Sequence, residues 1–127
     1  MTRYNPKTVA APNGAYSHGV DVPPNARLLY VAGQVGVAPD GSLAPDIEGQ
    51  SEQAWRNVLA VLADAGMGVE HLVKVYHYLT RAENIPAYGN VRNRFLGTAC
   101  PASTMVVVQA LVRPEWLVEV EAIAART

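Results

Sequence analysis

Two glutamates near the C-terminal end of the chain, Glu119 and Glu121, alternate with valine and alanine. Side chains of a β-strand alternate between its two faces, so a strand here would place both carboxyl groups on one face, with Cα atoms about 6.6 Å apart. A carboxyl group shielded from water has a raised pKa, which suits it to general acid–base catalysis. The alternative is that one glutamate only reaches solvent at the rim of an interface.

Two other stretches contain residue types that line ligand sites. Ala32, Gly33 and Gly36 form a glycine-containing stretch that opens no helix, which excludes a dinucleotide-binding loop. Gly33 predicts either a β-bulge or a place where a ligand approaches the backbone, and the residues alone favour neither. Tyr16 follows a glycine turn, so its phenol could lie over a cleft, although packing in the core is the simpler explanation.

Metal and nucleophile motifs are absent from the sequence. The three histidines, His18, His71 and His77, have no partners at metal-ligand spacing. The chain contains neither a G-x-S-x-G nucleophile elbow nor a phosphate-binding Walker loop. We therefore expect no metal and no cofactor.

Length and charge limit the classes of partner. The 127 residues fit a single domain spanning residues 1–127. Ten lysines and arginines against eleven aspartates and glutamates give a net charge of −1, which favours neither a nucleic acid nor an anionic membrane as partner. The N-terminal residues lack a signal-peptide core and the chain has one cysteine, so we expect a cytoplasmic protein that binds a small molecule.

The spacing of apolar residues predicts the helices and strands that carry these residues. Apolar residues three and four apart predict two helices, and Gly66 and Gly97 are placed to end them. Runs rich in β-branched and aromatic residues, separated by proline and glycine turns, predict five strands. The predicted strands are 16–22, 28–37, 72–79, 103–111 and 116–124, and the predicted helices are 46–65 and 84–96.

The resulting order, β-β-α-β-α-β-β, predicts two helices packed on one face of a mixed sheet. Strand 103–111 and residues 28–31 are apolar on both faces, so the side without helices would leave apolar surface in water. Exposed apolar patches of that kind mark interfaces. We therefore expect an oligomer that packs sheet to sheet, with Glu119 and Glu121 near the buried layer.

Five short motifs, in order, resemble the Rid family, the RidA/YjgF-type enamine and imine deaminases. They are GAYSH at 14–18, VAGQV at 31–35, VKV at 73–75, PAST at 101–104 and VEVEAIA at 118–124. The resemblance covers residues 8–126. It implies a chorismate-mutase-like α+β fold and a homotrimer whose three sheets pack into a central barrel, with a ligand cleft at each subunit interface.

The resemblance also implies an activity and a set of site residues. Active members hydrolyse an imine to ammonia and a 2-keto acid, with a glutamate handling the attacking water, and Glu121 stands at that position. Tyr16 and Gly33 match residues that line the cleft. Ala32 replaces a common serine, and Ser103 replaces the arginine that holds the substrate carboxylate.

Replacement of the arginine by Ser103 should weaken binding of a substrate carboxylate. A hydrogen bond to a charged group contributes about 1.5–3 kcal/mol, so its loss predicts weak activity on 2-iminopropionate. Arg92, Arg94 or Arg113 could supply the missing charge, and the sequence does not choose among them. Gly89 also replaces a helix asparagine of the family.

Three functions follow from these departures. The first is hydrolysis of an enamine, imine or related compound that lacks the usual carboxylate, with Glu121 acting on water. The second is a non-catalytic trimer that binds a small metabolite. The third, ribonuclease or translation-inhibitor activity, is least favoured because phosphate contacts need positive charge.

Overall fold

Two helices cover one face of a four-stranded sheet in the computed structural model, which describes residues 1–127. The strands are β1 (Thr2–Tyr4), β2 (Gly19–Asp21), β3 (Arg27–Val35), β4 (Leu72–Leu79), β5 (Ala102–Val107) and β6 (Val118–Arg126). The helices are α1 (Ile47–Asp64) and α2 (Ile85–Leu96). The predicted α+β fold, with both helices against a mixed sheet, is confirmed.

The sheet has the strand order β3-β6-β4-β5. β4 and β5 are parallel because α2 connects them and returns the chain to the same end of the sheet. β6 pairs antiparallel with both β3 and β4, so it lies in the middle of the sheet. The two glutamates of the sequence analysis therefore lie on a central strand.

α1 begins and ends at residues whose chemistry suits those positions. The Asp46 carboxylate accepts a hydrogen bond from the Gly49 amide at 2.8 Å, which satisfies one of the free N–H groups at the start of the helix. Gly66 follows the helix with φ of 72°, a conformation that only glycine adopts without strain. Between these ends, Trp55, Val58 and Leu62 are fully buried against the sheet.

The core lies between the helices and one face of β4 and β6. Along β6, Val118, Val120 and Ala122 are buried, whereas Glu119 and Glu121 are only half-buried. This alternation agrees with the predicted assignment of faces. Burying each large apolar side chain stabilises the fold by roughly 1.5–3 kcal/mol, so the core fixes the direction in which both glutamates point.

Several strand bounds differ from the predictions, most of all at β5 and at the predicted strand 16–22. β5 ends at Val107 instead of residue 111, because its partner β4 ends at Leu79 and the Val108 amide makes the last bond across, at 2.8 Å to the Leu79 carbonyl. The predicted strand 16–22 shrinks to β2. It pairs with β1, which the sequence analysis missed, and not with the main sheet.

The face of the sheet without helices carries large apolar side chains. Leu28 and Tyr30 on β3 and Val106 on β5 are 46%, 69% and 42% exposed. They alternate with residues that face the core, as Leu29 and Val31 do on β3. None of the helices combines the length and apolar character needed to cross a membrane.

Candidate functional site

A groove of about 500 Å³ lies beside β6 and β4 and contains both glutamates. Its polar lining comes from Glu119, Glu121 and the phenol of Tyr78. Apolar residues from the segment that follows β5 complete it: Val108, Ala110, Leu111 and Val112. Two carboxylates and a phenol next to an apolar wall form a site that can hold a small molecule and a water.

Tyr78 fixes the position of Glu121. Its phenol donates a hydrogen bond to Oε1 of Glu121 across the β4–β6 pair. This bond, with some burial and the negative charge of Glu121, raises the pKa of Tyr78 to about 12. Tyr78 therefore remains protonated at neutral pH and holds the carboxylate by one oxygen, which leaves the other oxygen for water or a ligand.

Glu119 packs against the backbone of β3. The register between β3 and β6 shifts between Val31 and Gln34, so Gly33 lies in a β-bulge. A Cβ placed at Gly33 would lie 2.0 Å from Oε2 of Glu119. The bulge and the close approach are therefore both present, and the group that approaches the backbone is the Glu119 carboxylate.

The two carboxylates differ in their partners. Glu121 accepts the bond from Tyr78, whereas Glu119 makes no hydrogen bond within the chain. The sequence analysis singled out Glu121 through the family resemblance. The structure adds Glu119 to the candidate groups, because it lines the same groove and keeps all of its lone pairs free.

Ser103 lies on the other face of the sheet. It is opposite Val75 on β4, and its hydroxyl is 2.8 Å from Nε2 of His77, which is fully buried. Nδ1 of His77 is hydrogen-bonded to the Tyr88 hydroxyl from α2. Burial, with smaller effects of Arg92 and Lys74, lowers the pKa of His77 to about 3, so the imidazole is neutral.

Tyr16 lies close to the beginning of β5. The Ser17 amide donates to the Pro101 carbonyl at 3.2 Å, and the Ser17 hydroxyl donates to the Cys100 carbonyl at 2.7 Å. These bonds fix Tyr16 beside the residues that lead into Ser103. Its ring meets the ring of His18 edge-on, with centroids 5.7 Å apart.

Within one chain the predicted site residues thus fall into two groups. Ala32, Gly33 and Glu121 lie on β3 and β6, while Tyr16 and Ser103 lie at β5, the opposite edge of the sheet. Three strand spacings separate β3 from β5, roughly 14 Å. One chain does not bring all five residues into one site.

The buried cluster around His77 was not found from the sequence. Its members come from three elements: Trp55 from α1, His77 from β4 and Tyr88 from α2. The only signal was that His77 occupies a core-facing position between Val75 and Leu79. Without ligand spacing, that position indicated neither a metal site nor a hydrogen-bond network.

Comparison with known proteins identifies the family. The family described as endoribonuclease L-PSP matches residues 7–126. The protein YyfB of Yersinia pestis, of the conserved Rid protein family, has a solved structure that superposes with a TM-score of 0.86, at 30% identity over 98% of both chains. The chain belongs to the Rid family.

Two curated Rid-family relatives cover most of the chain. A RutC family protein of Pyrococcus abyssi is 32% identical over 115 residues, which are 89% of this chain and 87% of that protein. The Escherichia coli protein named "Putative reactive intermediate deaminase TdcF" is 28% identical over 118 residues, 90% of this chain and 88% of its own. The resemblance predicted from the five motifs is confirmed.

Proposed function

We propose that this Rid-family protein hydrolyses a small imine or enamine and releases ammonia at the groove that contains Glu119 and Glu121. The observation that carries the proposal is the pair of carboxylates beside an apolar wall, one held by Tyr78 and one free. The name of the TdcF relative supports the reaction class. No cofactor enters the proposal.

The two carboxylates take different steps of the reaction. Glu121, held by Tyr78, orients a water molecule through its second oxygen. As the water oxygen bonds to the imine carbon, a carboxylate accepts a water proton and passes it to the nitrogen, which gives a carbinolamine. The C–N bond then breaks, ammonia leaves with a second transferred proton, and the carbonyl product forms.

Glu119 is the proton acceptor in this proposal. It makes no hydrogen bond within the chain, so both of its oxygens are open to water, whereas one oxygen of Glu121 is occupied by the bond from Tyr78. In this proposal Glu121 positions the water, the role that the family resemblance implies for it, and Glu119 is available to receive the proton.

The active form in this proposal is a cytoplasmic homotrimer. Ser103 faces the helices, whereas Glu121 lies two strands away on β6 and faces the other side of the sheet, so a site that contains both, together with Tyr16, needs a second copy of the chain. The apolar face with Leu28, Tyr30 and Val106 provides surface for that contact. The ligand is a small metabolite, and neither nucleic acid nor membrane takes part.

The direct test is ammonia release from freshly generated 2-iminopropionate and 2-iminobutyrate. We expect Glu121→Gln and Glu119→Gln each to lower the rate by about 100-fold or more, since a positioned acid–base group contributes about 10²–10⁴-fold. Glu83→Gln is the matched control, because Glu83 is exposed and does not line the groove, and it should keep the wild-type rate. Full activity in both groove variants would refute the mechanism.

The metabolite-binding trimer is the alternative that the departures at Ala32 and Ser103 favour. It predicts that the wild-type protein binds a metabolite in the groove without releasing ammonia. Sedimentation of the same samples tests the trimer separately, because a monomer at micromolar concentration contradicts the shared site.

A further inference from the structure

A chain of hydrogen bonds runs through the core to the beginning of β5. Nε1 of Trp55 is 3.2 Å from the Tyr88 hydroxyl, which is also bonded to Nδ1 of His77. Nε2 of His77 is 2.8 Å from the Ser103 hydroxyl. Trp55, His77 and Tyr88 are fully buried, so no water can supply a missing partner.

The chemistry of these groups fixes the direction of each bond. Indole N–H can only donate, so the Tyr88 oxygen accepts from Trp55. The single proton of Tyr88 then has one acceptor within reach, Nδ1 of His77. The neutral imidazole carries its proton on Nε2 and donates it to Ser103. The reverse orientation would leave the Tyr88 proton unpaired in a dry core, which is unfavourable.

This direction leaves the Ser103 proton free. Because its oxygen already accepts from His77, the hydroxyl can donate outward to a group that the chain itself does not provide. Ser103 is half-buried at the outer strand of the sheet, where a ligand can reach it. The bond from His77 polarises the hydroxyl and makes it a stronger donor.

An unpaired guanidinium lies on the helix that carries Tyr88, whose hydroxyl is bonded to His77. Arg92 is one helical turn from Tyr88 on the same face of α2, and its side chain is half-buried. It folds back over Gly89, where a Cβ would lie 3.5 Å from a terminal guanidinium nitrogen. Its one hydrogen bond runs from Nε to Asn93 Oδ1 at 3.1 Å, and it has no carboxylate partner.

The other two candidate arginines, Arg94 and Arg113, already contact other side chains of the chain. Arg94 forms an ion pair with Glu52 at 3.0 Å on the surface between α1 and α2. Arg113 lies over the ring of Trp116, 5.9 Å from its centroid. Of the three arginines that the sequence left open, only Arg92 combines a free charge with a position beside the His77 cluster.

Two cationic side chains act on the His77 cluster. Arg92 and Lys74 both act on His77 and lower its pKa, and no acidic group acts on it in the opposite direction. Lys74 itself is bonded to the Thr104 hydroxyl at 2.7 Å. An anion at this edge would therefore meet a favourable potential, a forked donor and a directed hydroxyl.

We propose that the Arg92 guanidinium and the Ser103 hydroxyl form a carboxylate-binding site at the α2–β5 edge. The planar fork of a guanidinium matches a carboxylate, and the Ser103 proton adds a third donor. Gly89 lies under the guanidinium, where a Cβ would be in ordinary van der Waals contact with it. His77 and Tyr88 are positioning residues that keep the Ser103 proton directed outward.

The inference deepens the proposed function, on which it rests only for the identity of the ligand. If the site serves the proposed reaction, the imine carries a carboxylate after all, held by Arg92 in place of an arginine at position 103. This reverses the expectation from Ser103 of a substrate without a carboxylate.

Calorimetric titration of the full-length protein with 2-oxobutanoate, a carboxylate of the product type, tests the site without turnover. We expect Arg92→Gln, which removes the forked charged donor, to weaken binding about 10- to 100-fold, and Ser103→Ala, which removes one uncharged donor, about 2- to 10-fold. Arg92→Lys, which keeps the charge but loses the fork, should fall between wild type and Arg92→Gln. Butan-2-one, the same skeleton without the carboxylate, should bind far more weakly than 2-oxobutanoate.

Arg94→Gln is the control, since Arg94 lies on the same helix and is paired elsewhere. Wild-type affinity in Arg92→Gln, an equal loss in Arg94→Gln, or no binding of 2-oxobutanoate to the wild type would each overturn the proposal. Failure of the proposed function has a different signature. An inactive wild-type protein whose 2-oxobutanoate binding still depends on Arg92 refutes the hydrolysis and keeps the site.

Discussion

The groove at β6 and the buried cluster beside β5 each contain a hydrogen-bonded tyrosine, but the two tyrosines have different roles. Tyr78 in the groove bonds to a carboxylate that remains half-exposed, while Tyr88 in the cluster bonds to an imidazole that is sealed from water. The first tyrosine holds a charge in place for a ligand. The second sets which nitrogen of a neutral ring carries the proton. Exposure, more than residue type, decides which group can take part in chemistry.

The pKa shifts of the two regions show the same contrast. The bond to Glu121 raises the pKa of Tyr78 to about 12, and burial lowers the pKa of His77 to about 3. Both groups are therefore held in their neutral forms at pH 7. Proton transfer in this protein falls to the glutamates of the groove, whereas the cluster acts by direction of its hydrogen bonds.

The largest loss of activity should come from adding a side chain at Gly33, where Glu119 packs against β3. Gly33→Ala adds a methyl group where the Glu119 carboxylate now lies, 2.0 Å from its Oε2. Glu119 must move, and a displacement of about 1 Å at a reacting group can cost about 100-fold in rate. Steady-state ammonia release measures this loss.

The control for that variant is Gly14→Ala, where the added Cβ would meet only Tyr16 Cδ1, at 3.9 Å. This variant should keep the wild-type rate. If Gly33→Ala is as active as the wild type, catalysis does not depend on the present position of Glu119. The proposed catalytic role of the groove would then be wrong.

The cluster should respond in stability more than in rate. Tyr88→Phe removes the hydroxyl that satisfies both Trp55 Nε1 and His77 Nδ1. Leaving buried polar groups unpaired costs about 1–3 kcal/mol each, so for two groups we expect a loss of about 2–6 kcal/mol in the free energy of unfolding. Urea denaturation measures it, with Tyr4→Phe as the control because Tyr4 is 52% exposed and lies outside the face proposed for the trimer contact.

The same variant tests the proton direction. In the wild type, nitrogen NMR should report the Nε2–H form of His77. Without the Tyr88 donor that preference weakens, and Ser103 is free to turn its proton inward. An Nδ1–H form in the wild-type protein would contradict the outward hydroxyl on which the Arg92 site depends.

Local patterns account for the parts of the fold that the sequence predicts well. β4 was predicted at 72–79 and is Leu72–Leu79, because its apolar run is bounded by turns on both sides. α2 was predicted at 84–96 and is Ile85–Leu96, with proline in its first turn. β1 was missed because it exists only through pairing with β2, which the residues of β1 do not encode by themselves.

The site was less predictable because its contacts join distant parts of the chain. The strand alternation correctly placed Glu119 and Glu121 on one face, which is a local property. The contact of Glu119 with Gly33 depends on the register shift between β3 and β6. The bonds of His77 reach 11 and 26 residues along the chain, to Tyr88 and Ser103, and no spacing rule connects those positions.

A smaller and more diagnostic effect is the pH dependence of stability. His77 has a pKa near 6.5 when unfolded and about 3 in the fold, so below pH 6.5 the unfolded chain binds a proton that the folded chain does not. The free energy of unfolding should therefore fall as the pH drops from 6.5 towards 3, by about 1.4 kcal/mol per unit from this residue. Above pH 6.5 His77 should contribute no slope.

Unfolding titrations between pH 4 and pH 7, at one protein concentration, measure that slope. His77→Gln should flatten it, and His18→Gln, which changes an exposed histidine, should leave it as in the wild type. Equal pH slopes of the unfolding free energy in wild type and His77→Gln would mean that His77 is protonated in the folded protein. The cluster would then be accessible to water, as the groove is.

The smallest expected effect is that of Tyr78→Phe on the rate of ammonia release. Tyr78 holds one oxygen of Glu121, but the pair lies in an open groove where water can replace the phenol. A half-exposed hydrogen bond of this kind contributes about 0.5–1.5 kcal/mol, so we expect a loss of roughly 2- to 10-fold. The loss should appear mainly in kcat, because Tyr78 orients Glu121 and does not bind the carboxylate proposed for Arg92. A rise in KM with kcat unchanged would instead assign Tyr78 to substrate binding and would move the ligand closer to β4 than the present geometry requires.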